Sequence, residues 1–188
     1  MGRFLDIGSG SYGVPGFETL DVVRGPHVTH VGRAESPPFD NNTFDIVHAS
    51  HVLEHINWYD VEGTVKEWVR ILKSGGQLEV WVPDAYKLMK ALITLEETDQ
   101  WTGPGIGTWK ADLTLQDPYK WAVGRMLNYP KKGGVGEVWL HRALITPKYL
   151  QKVFSKAGLI DIKMMDESQI RGMKNHGWIQ MGVVGTKK

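Results

Sequence analysis

The chain has 188 residues, with 22 Lys and Arg against 21 Asp and Glu. That length suits one packed domain, and the near-neutral charge excludes nucleic-acid binding through bulk charge. The absence of cysteine excludes disulfide scaffolds, thiol nucleophiles and Cys-based zinc sites, and 41% apolar with 23% charged residues is globular composition.

Residues 3–7 read as a short apolar strand, followed by turn-rich sequence from Gly8 to Gly16. Residues 17–23, 27–31 and 44–49 are the next strand candidates, the last bounded by the turn signal Asp40-Asn41-Asn42. Val61, Val65, Trp68, Val69 and Leu72 recur at helical spacing. Gly75-Gly76 is expected to stop that helix as its C-cap. Residues 77–82 predict a fifth strand ended by Pro83, and Asp84 an N-cap for a helix through about Leu95. Thr146-Pro147 is a helix start, with Tyr149, Leu150, Val153 and Phe154 as its buried face and Gly158 as its end. Residues 159–165 and 178–184 are the last strand candidates. Alternating strands and helices predict an α/β fold with a largely parallel sheet, in one domain over residues 1–188.

Residues 97–141 break this rhythm. They carry Trp101, Trp109, Tyr119, Trp121, Tyr129 and Trp139 among many glycines, with one short helix expected at 118–127. The stretch is too long for an ordinary connection, so it reads as a lid or pocket wall, or as a satellite core held by its tryptophans.

Gly8, Gly10 and Gly13 form a G-x-G-x-x-G after the first strand, a spacing that lets backbone approach a ligand closely. A nicotinamide-binding fold would want a helix directly after the loop and an acid about 20 residues on. Val14-Pro15-Gly16 breaks such a helix, and Asp21 comes too soon. Asp6 suits a cationic or zwitterionic ligand better than a pyrophosphate.

Asp6-x-Gly8-x-Gly10 resembles the first motif of the class I S-adenosylmethionine-dependent methyltransferases. Thr19-Leu20-Asp21-Val22, the segment Gly32 to Phe39, the segment Asn42 to His55, and the segment Arg70 to Leu78 resemble the family's later motifs, in the same order. The resemblance covers about residues 3–84. It implies a Rossmann-like fold with a mostly parallel seven-stranded sheet, helices on both faces and a shortened first helix. It also implies S-adenosylmethionine as cofactor and S-adenosylhomocysteine as product. The implied cofactor residues are Asp6, Gly8, Ser9, Gly10, Asp21, Val22, Ala34, Glu35 and Ser50. Asp21 would hold the ribose, Ala34 and Glu35 would lie by the adenine, and Ser50 would mark the methyl end. His141 to Pro147, followed by Ala157-Gly158-Leu159, looks like a small branch of these enzymes often associated with glycan modification. Arg33 stands where the family usually has Asp, so Glu35 is the substitute candidate for the adenine contact.

His51-Val52-Leu53-Glu54-His55 spells the inverted zinc-protease motif, which would need His51, His55 and a third ligand around one metal. The methyltransferase pattern explains the same pentapeptide, so no metal is expected. His48 reads as a strand residue satisfied locally, and His55 as an orienting or packing residue under the loop. His27, His30 and His176 read as ordinary surface or edge residues. His51 and His141 are the base candidates, because a hydroxyl acceptor benefits from a group that removes its proton. Tyr12 is a candidate for a ring beside the sulfonium, with a plain surface tyrosine as the alternative.

The expected function is methyl transfer to a small-molecule or sugar acceptor by in-line displacement. The alternative is an inactive cofactor-binding domain serving as a regulatory or scaffold partner. Residues 99–142 carry six Lys and Arg against four Asp and Glu, so a nucleic-acid acceptor is not expected. No apolar run reaches membrane-span length and no secretory leader is visible, so a cytoplasmic protein without membrane contact is expected.

Overall fold

The computed structural model describes residues 2–103, 117–127, 140–172 and 175–188. The strands are β1 (Phe4–Ile7), β2 (Glu18–Asp21), β3 (His30–Val31), β4 (Phe44–Ser50), β5 (Leu72–Pro83), β6 (Leu159–Met165) and β7 (Gln180–Lys187). They form one sheet in the order β3-β2-β1-β4-β5-β7-β6. The first five run parallel, and β7 enters antiparallel between β5 and β6. The helices are α1 (Val61–Ile71), α2 (Ala85–Thr98), α3 (Pro118–Leu127) and α4 (Pro147–Lys156).

Two adjacent cross-strand rows show how the sheet is built. Leu20, Ile7, Ala49, Val80 and Val183 pair across β2, β1, β4, β5 and β7, and all are buried. This face receives the apolar stripe of α1 (Val61, Val65, Trp68, Val69) and that of α4 (Leu150, Val153, Phe154). The next row is Thr19, Asp6, His48 and Glu79, equally buried but polar. Buried polar groups persist only when paired. His48 Nδ1–H donates to Asp6 Oδ1 at 2.8 Å, and Arg171 grips Glu79 through both guanidinium arms at 2.6 and 2.8 Å. Arg171 also lies 5.5 Å over the Phe17 ring. The helical cover is therefore uneven. Residues 8–16 contain no helix, and Phe17 with the Arg171 segment shields this face instead. His48 Nδ1 finds its partner 42 residues away, not locally as the sequence suggested, and its buried Nε2 has no hydrogen-bond partner among the described residues.

The helix starts follow their caps. Asp84 Oδ1 accepts from the N–H groups of Tyr86 and Lys87 at 3.0 and 3.1 Å. Thr146 Oγ1 accepts from Tyr149 N–H at 3.4 Å, and Gly158 closes the end of α4 at φ +90°.

One stop signal has another purpose. α1 ends at Ile71, where Leu72 N–H bonds Val69 O, so Gly75-Gly76 does not cap it. Gly75, at φ +77°, lies inside β5, where the register to β4 shifts from Phe44↔Leu72 to Ile46↔Gln77. A Cβ at Gly76 would sit 2.9 Å from Lys73 O and 3.1 Å from Asp45 O. The pair makes an irregularity that lets the strand re-pair.

α3 spans the residues predicted for it. With α2 it builds a satellite core of Leu88, Trp121, Ala122 and Ile179, flanked by Trp101 and Trp178. Trp109, Tyr129 and Trp139 of the aromatic insertion lie outside the described residues. Among the described residues, no helix is long and apolar enough to cross a membrane.

Candidate active site

In open parallel sheets, ligands bind outside the carboxyl ends of the strands. Here β1 delivers Gly8 to Gly10, β2 delivers Asp21 and Val22, β4 delivers Ser50 and His51, and β5 delivers Pro83 and Asp84. Gly8 and Gly10 take φ +66° and +60°, in the left-handed region. Gly8 N–H donates to Leu20 O at 2.7 Å, tying the loop to β2. Asp21 holds the loop from the other side. Its Oδ2 accepts from Gly10 N–H and its Oδ1 from Val23 N–H, both at 2.9 Å. A carboxylate offers about four acceptor sites, so about two remain for a ligand. His27 Nε2 meets Gly10 O at 2.5 Å, so this histidine braces the loop where a helix would otherwise stand. Ser9 is fully buried, and its Oγ has no partner among the described residues.

The other expected cofactor residues are placed less uniformly. Asp6 is committed to His48, and its Oδ2 accepts from Val14 N–H at 3.1 Å. Ala34 O accepts from Trp68 Nε1–H at 2.8 Å, and Glu35 is bound to Arg33. The Arg33 departure thus occupies the carboxylate that was to replace the missing acid. Val22 is 44% exposed beside Asp21, while Ser50 is fully buried at the end of β4.

The residues after β4 form the second half of the site. His51 has φ +55°, a left-handed conformation that costs a non-glycine residue about 1 kcal/mol or more. His51 N–H donates to Trp81 O at 2.8 Å, which holds it there. Its Nδ1–H donates to Glu54 Oε1 at 3.0 Å, and its Nε2 lies 3.4 Å from Gln180 Oε1. His176 packs against its ring at 4.0 Å between centroids. Glu54 is buried. Burial pushes its carboxyl up, but the His51 bond and the charges of His51, His55 and His141 outweigh this and hold it below the usual range.

The pentapeptide does not form the helix on which His51 and His55 would share a face. It turns through a single 3-10 segment, Leu53–His55. Glu54, His55 and His141 converge instead, each bringing one ligand-capable atom within 4.8 Å of the others. His55 Nδ1–H donates to Leu140 O at 3.2 Å, and His141 Nδ1–H to Arg125 O at 2.9 Å. Burial pushes the His141 imidazole below its ordinary pKa, against the pull of Glu54. The sequence showed Glu54 and His55 in their motif but gave no signal that His141 would join them.

A shallow, partly open cleft borders this cluster, lined by Glu54, Pro83, Leu88, Arg125, Met126 and His141 among others. A second shallow cleft lies on the polar face of the sheet between Tyr12, Asp6, His48 and Arg171. Tyr12 is 69% exposed at its mouth. His30, read as an edge residue, bonds Glu18 at 3.0 Å and stacks edge-on against Phe39.

Residues 17–80 match the methyltransferase domain family. An uncharacterized protein of Escherichia coli (strain K12), YafE, is 48% identical over 52 residues, which are 28% of this chain and 24% of that protein. The match therefore spans about a quarter of that relative's length. A solved S-adenosylmethionine-dependent methyltransferase from Thermotoga maritima aligns with TM-score 0.59 and 19% identity, over 100% of this chain and 83% of that one. Phosphoethanolamine N-methyltransferase 2 of Haemonchus contortus, solved with S-adenosylmethionine, aligns with TM-score 0.56 and 16% identity, over 99% of this chain and 48% of that one. These structural likenesses establish the fold. The chain thus carries methyltransferase-domain sequence within a sheet order shared with such enzymes, and its antiparallel β7 departs from the all-parallel nicotinamide-binding arrangement.

Proposed function

We propose that the chain is an enzyme that transfers a methyl group from S-adenosylmethionine to an oxygen of a small-molecule or sugar acceptor. The observation that carries this reading is the grip of Asp21 on Gly10 N–H, which locks the glycine loop to the acid at the end of β2. The residues present fit the cofactor at three points: the loop backbone, the orphaned Ser9 Oγ, and the spare acceptor sites of Asp21.

When bound, S-adenosylmethionine supplies a methyl carbon on a sulfonium. Asp21 would hold the ribose hydroxyls, and Ser9 with the Gly8 to Gly10 backbone would meet the methionine part. Val22, Ala34 and Glu35 border the adenine side, where Glu35 contributes through its pair with Arg33 and not as a free acid. Ser50 and His51 stand at the methyl end. The cleft beside Glu54 and Pro83 seats the acceptor, and Arg125 and Met126 of α3 contribute to its lining. With the cofactor bound, His51 would accept the proton of the acceptor hydroxyl at Nε2, and the cofactor would supply the methyl group and retain its sulfur as the leaving thioether. Glu54, bonded to Nδ1–H, orients the ring and stabilises the resulting imidazolium. His141 lines the same cleft. Positioning of the acceptor by the cleft would supply the larger share of the acceleration.

A second reading, cofactor binding without turnover, is favoured by the commitment of Asp6 to His48 and of Glu35 to Arg33. Calorimetric titration with S-adenosylmethionine and S-adenosylhomocysteine, with NADH as control, tests both. Binding by the two sulfur compounds that Asp21→Ala abolishes supports the site. Binding by neither overturns it. Methyl transfer to any of a panel of sugars and small hydroxylated compounds then separates an enzyme from a binding domain.

A further inference from the structure

We propose that Glu54, His55 and His141 form a binding site for a divalent transition-metal ion, with its open coordination position facing the acceptor cleft. Three features of the chain point to it. First, the three side chains come from the end of β4 and from the segment before α4, and each brings a ligand-capable atom within 4.8 Å of the others. Around a tetrahedral ion with bonds of about 2.1 Å, ligand atoms stand about 3.4 Å apart, so small side-chain rotations close the set. Second, the ligands are oriented as metal ligands are. His55 and His141 each donate Nδ1–H to a backbone carbonyl, Leu140 O and Arg125 O, which fixes the tautomer and leaves Nε2 as the atom a metal takes. Glu54 is held in turn by His51 at Oε1. Third, Glu54 Oε2 is buried and has no hydrogen-bond partner among the described residues. A buried carboxylate oxygen without a partner is costly, and a cation removes that cost.

The donor set selects the metal class. Two neutral imidazoles and one carboxylate suit Zn²⁺ and its neighbours, whereas Mg²⁺ and Ca²⁺ want all-oxygen shells. Three protein ligands leave at least one position open, the pattern of a site that also takes an exogenous oxygen. Glu54 and His141 both line the cleft beside Pro83. That the open position holds the acceptor's oxygen rests on the proposed methyl transfer; the metal site itself does not. His51 stays outside the set, because its Nδ1 faces Glu54 and its Nε2 faces Gln180.

The test starts from chelator-treated full-length chain titrated with Zn²⁺ by calorimetry, with metal content measured after dialysis. One zinc per chain is expected for the unmodified protein and for His30→Gln. His55→Ala and His141→Ala are each expected to weaken binding on the order of 100-fold. Circular dichroism and thermal melts show whether each variant is folded. The zinc-edge X-ray absorption spectrum of the unmodified protein needs no variant and should show two imidazoles and oxygen ligands. Absence of stoichiometric zinc, unchanged affinity in either alanine variant, loss of zinc in folded His30→Gln, or a spectrum without two imidazoles overturns the site. S-adenosylhomocysteine titration of the metal-free chain reports separately on the proposed cofactor reading.

Discussion

Gly8→Ala would place a methyl group 2.2 Å from Val52 Cγ2, at a residue whose φ is +66°. Two penalties act together. A Cβ in the left-handed region costs about 1–2 kcal/mol. Forcing it into the packed Val52 side chain, only 9% exposed, costs about 1–3 kcal/mol more. The sum is about 2–5 kcal/mol, which corresponds to roughly 4–20 °C in melting temperature for a chain of this size. Urea denaturation of a four-member cycle separates the two terms. Val52→Ala alone should cost about 1–2 kcal/mol for its lost methyl groups. The double variant should be more stable than the sum of the single effects by about 1–3 kcal/mol, because the clash is gone and only backbone strain remains. Additivity within about 0.5 kcal/mol would refute the close approach of the β1 loop to the chain after β4. The double variant should also regain part of any S-adenosylhomocysteine affinity lost in Gly8→Ala.

Asp6→Ala leaves the buried His48 Nδ1–H without its acceptor and should cost about 1–3 kcal/mol in urea denaturation, whereas replacing Asp6 and His48 together by Leu should recover most of it. Asp84→Ala removes two cap bonds at the start of α2, so about 1–2 kcal/mol of stability should be lost. Arg3, helped by His30 and opposed by partial burial, holds the Glu18 carboxyl below its usual range. A depressed carboxylate stabilises the fold above its unfolded pKa, and the contribution fades as pH falls through the folded value. Melts from about pH 6 to pH 3 should therefore lose stability more steeply in the unmodified chain than in Glu18→Gln. Equal slopes would show that the Arg3–Glu18–His30 contacts contribute nothing.

The sheet and the helix caps were legible because they rest on local chemistry. Leu5 and Ile7 flanking Asp6, the period of Val61, Val65, Trp68 and Val69, and the caps Asp84 and Thr146 all act within a few residues of themselves. Sequence alone thereby determined the α/β order, the short first connection and the helix at 118–127. The strand ends and Gly75 were read less well, since a positive φ serves a helix cap and a strand irregularity equally. Tertiary structure decided which polar residues are spent on the scaffold and which face a ligand. Asp6 and His48 meet only because β1 and β4 pair in register, and Glu79 lies in the same row, where Arg171 reaches it from a distant segment. Likewise, His51 turns away from His55, and His141 arrives from beyond the insertion to take its place. Residue types announce the chemistry they can perform. Which of them meet depends on strand register and chain crossings between segments far apart in sequence, and no local spacing encodes those.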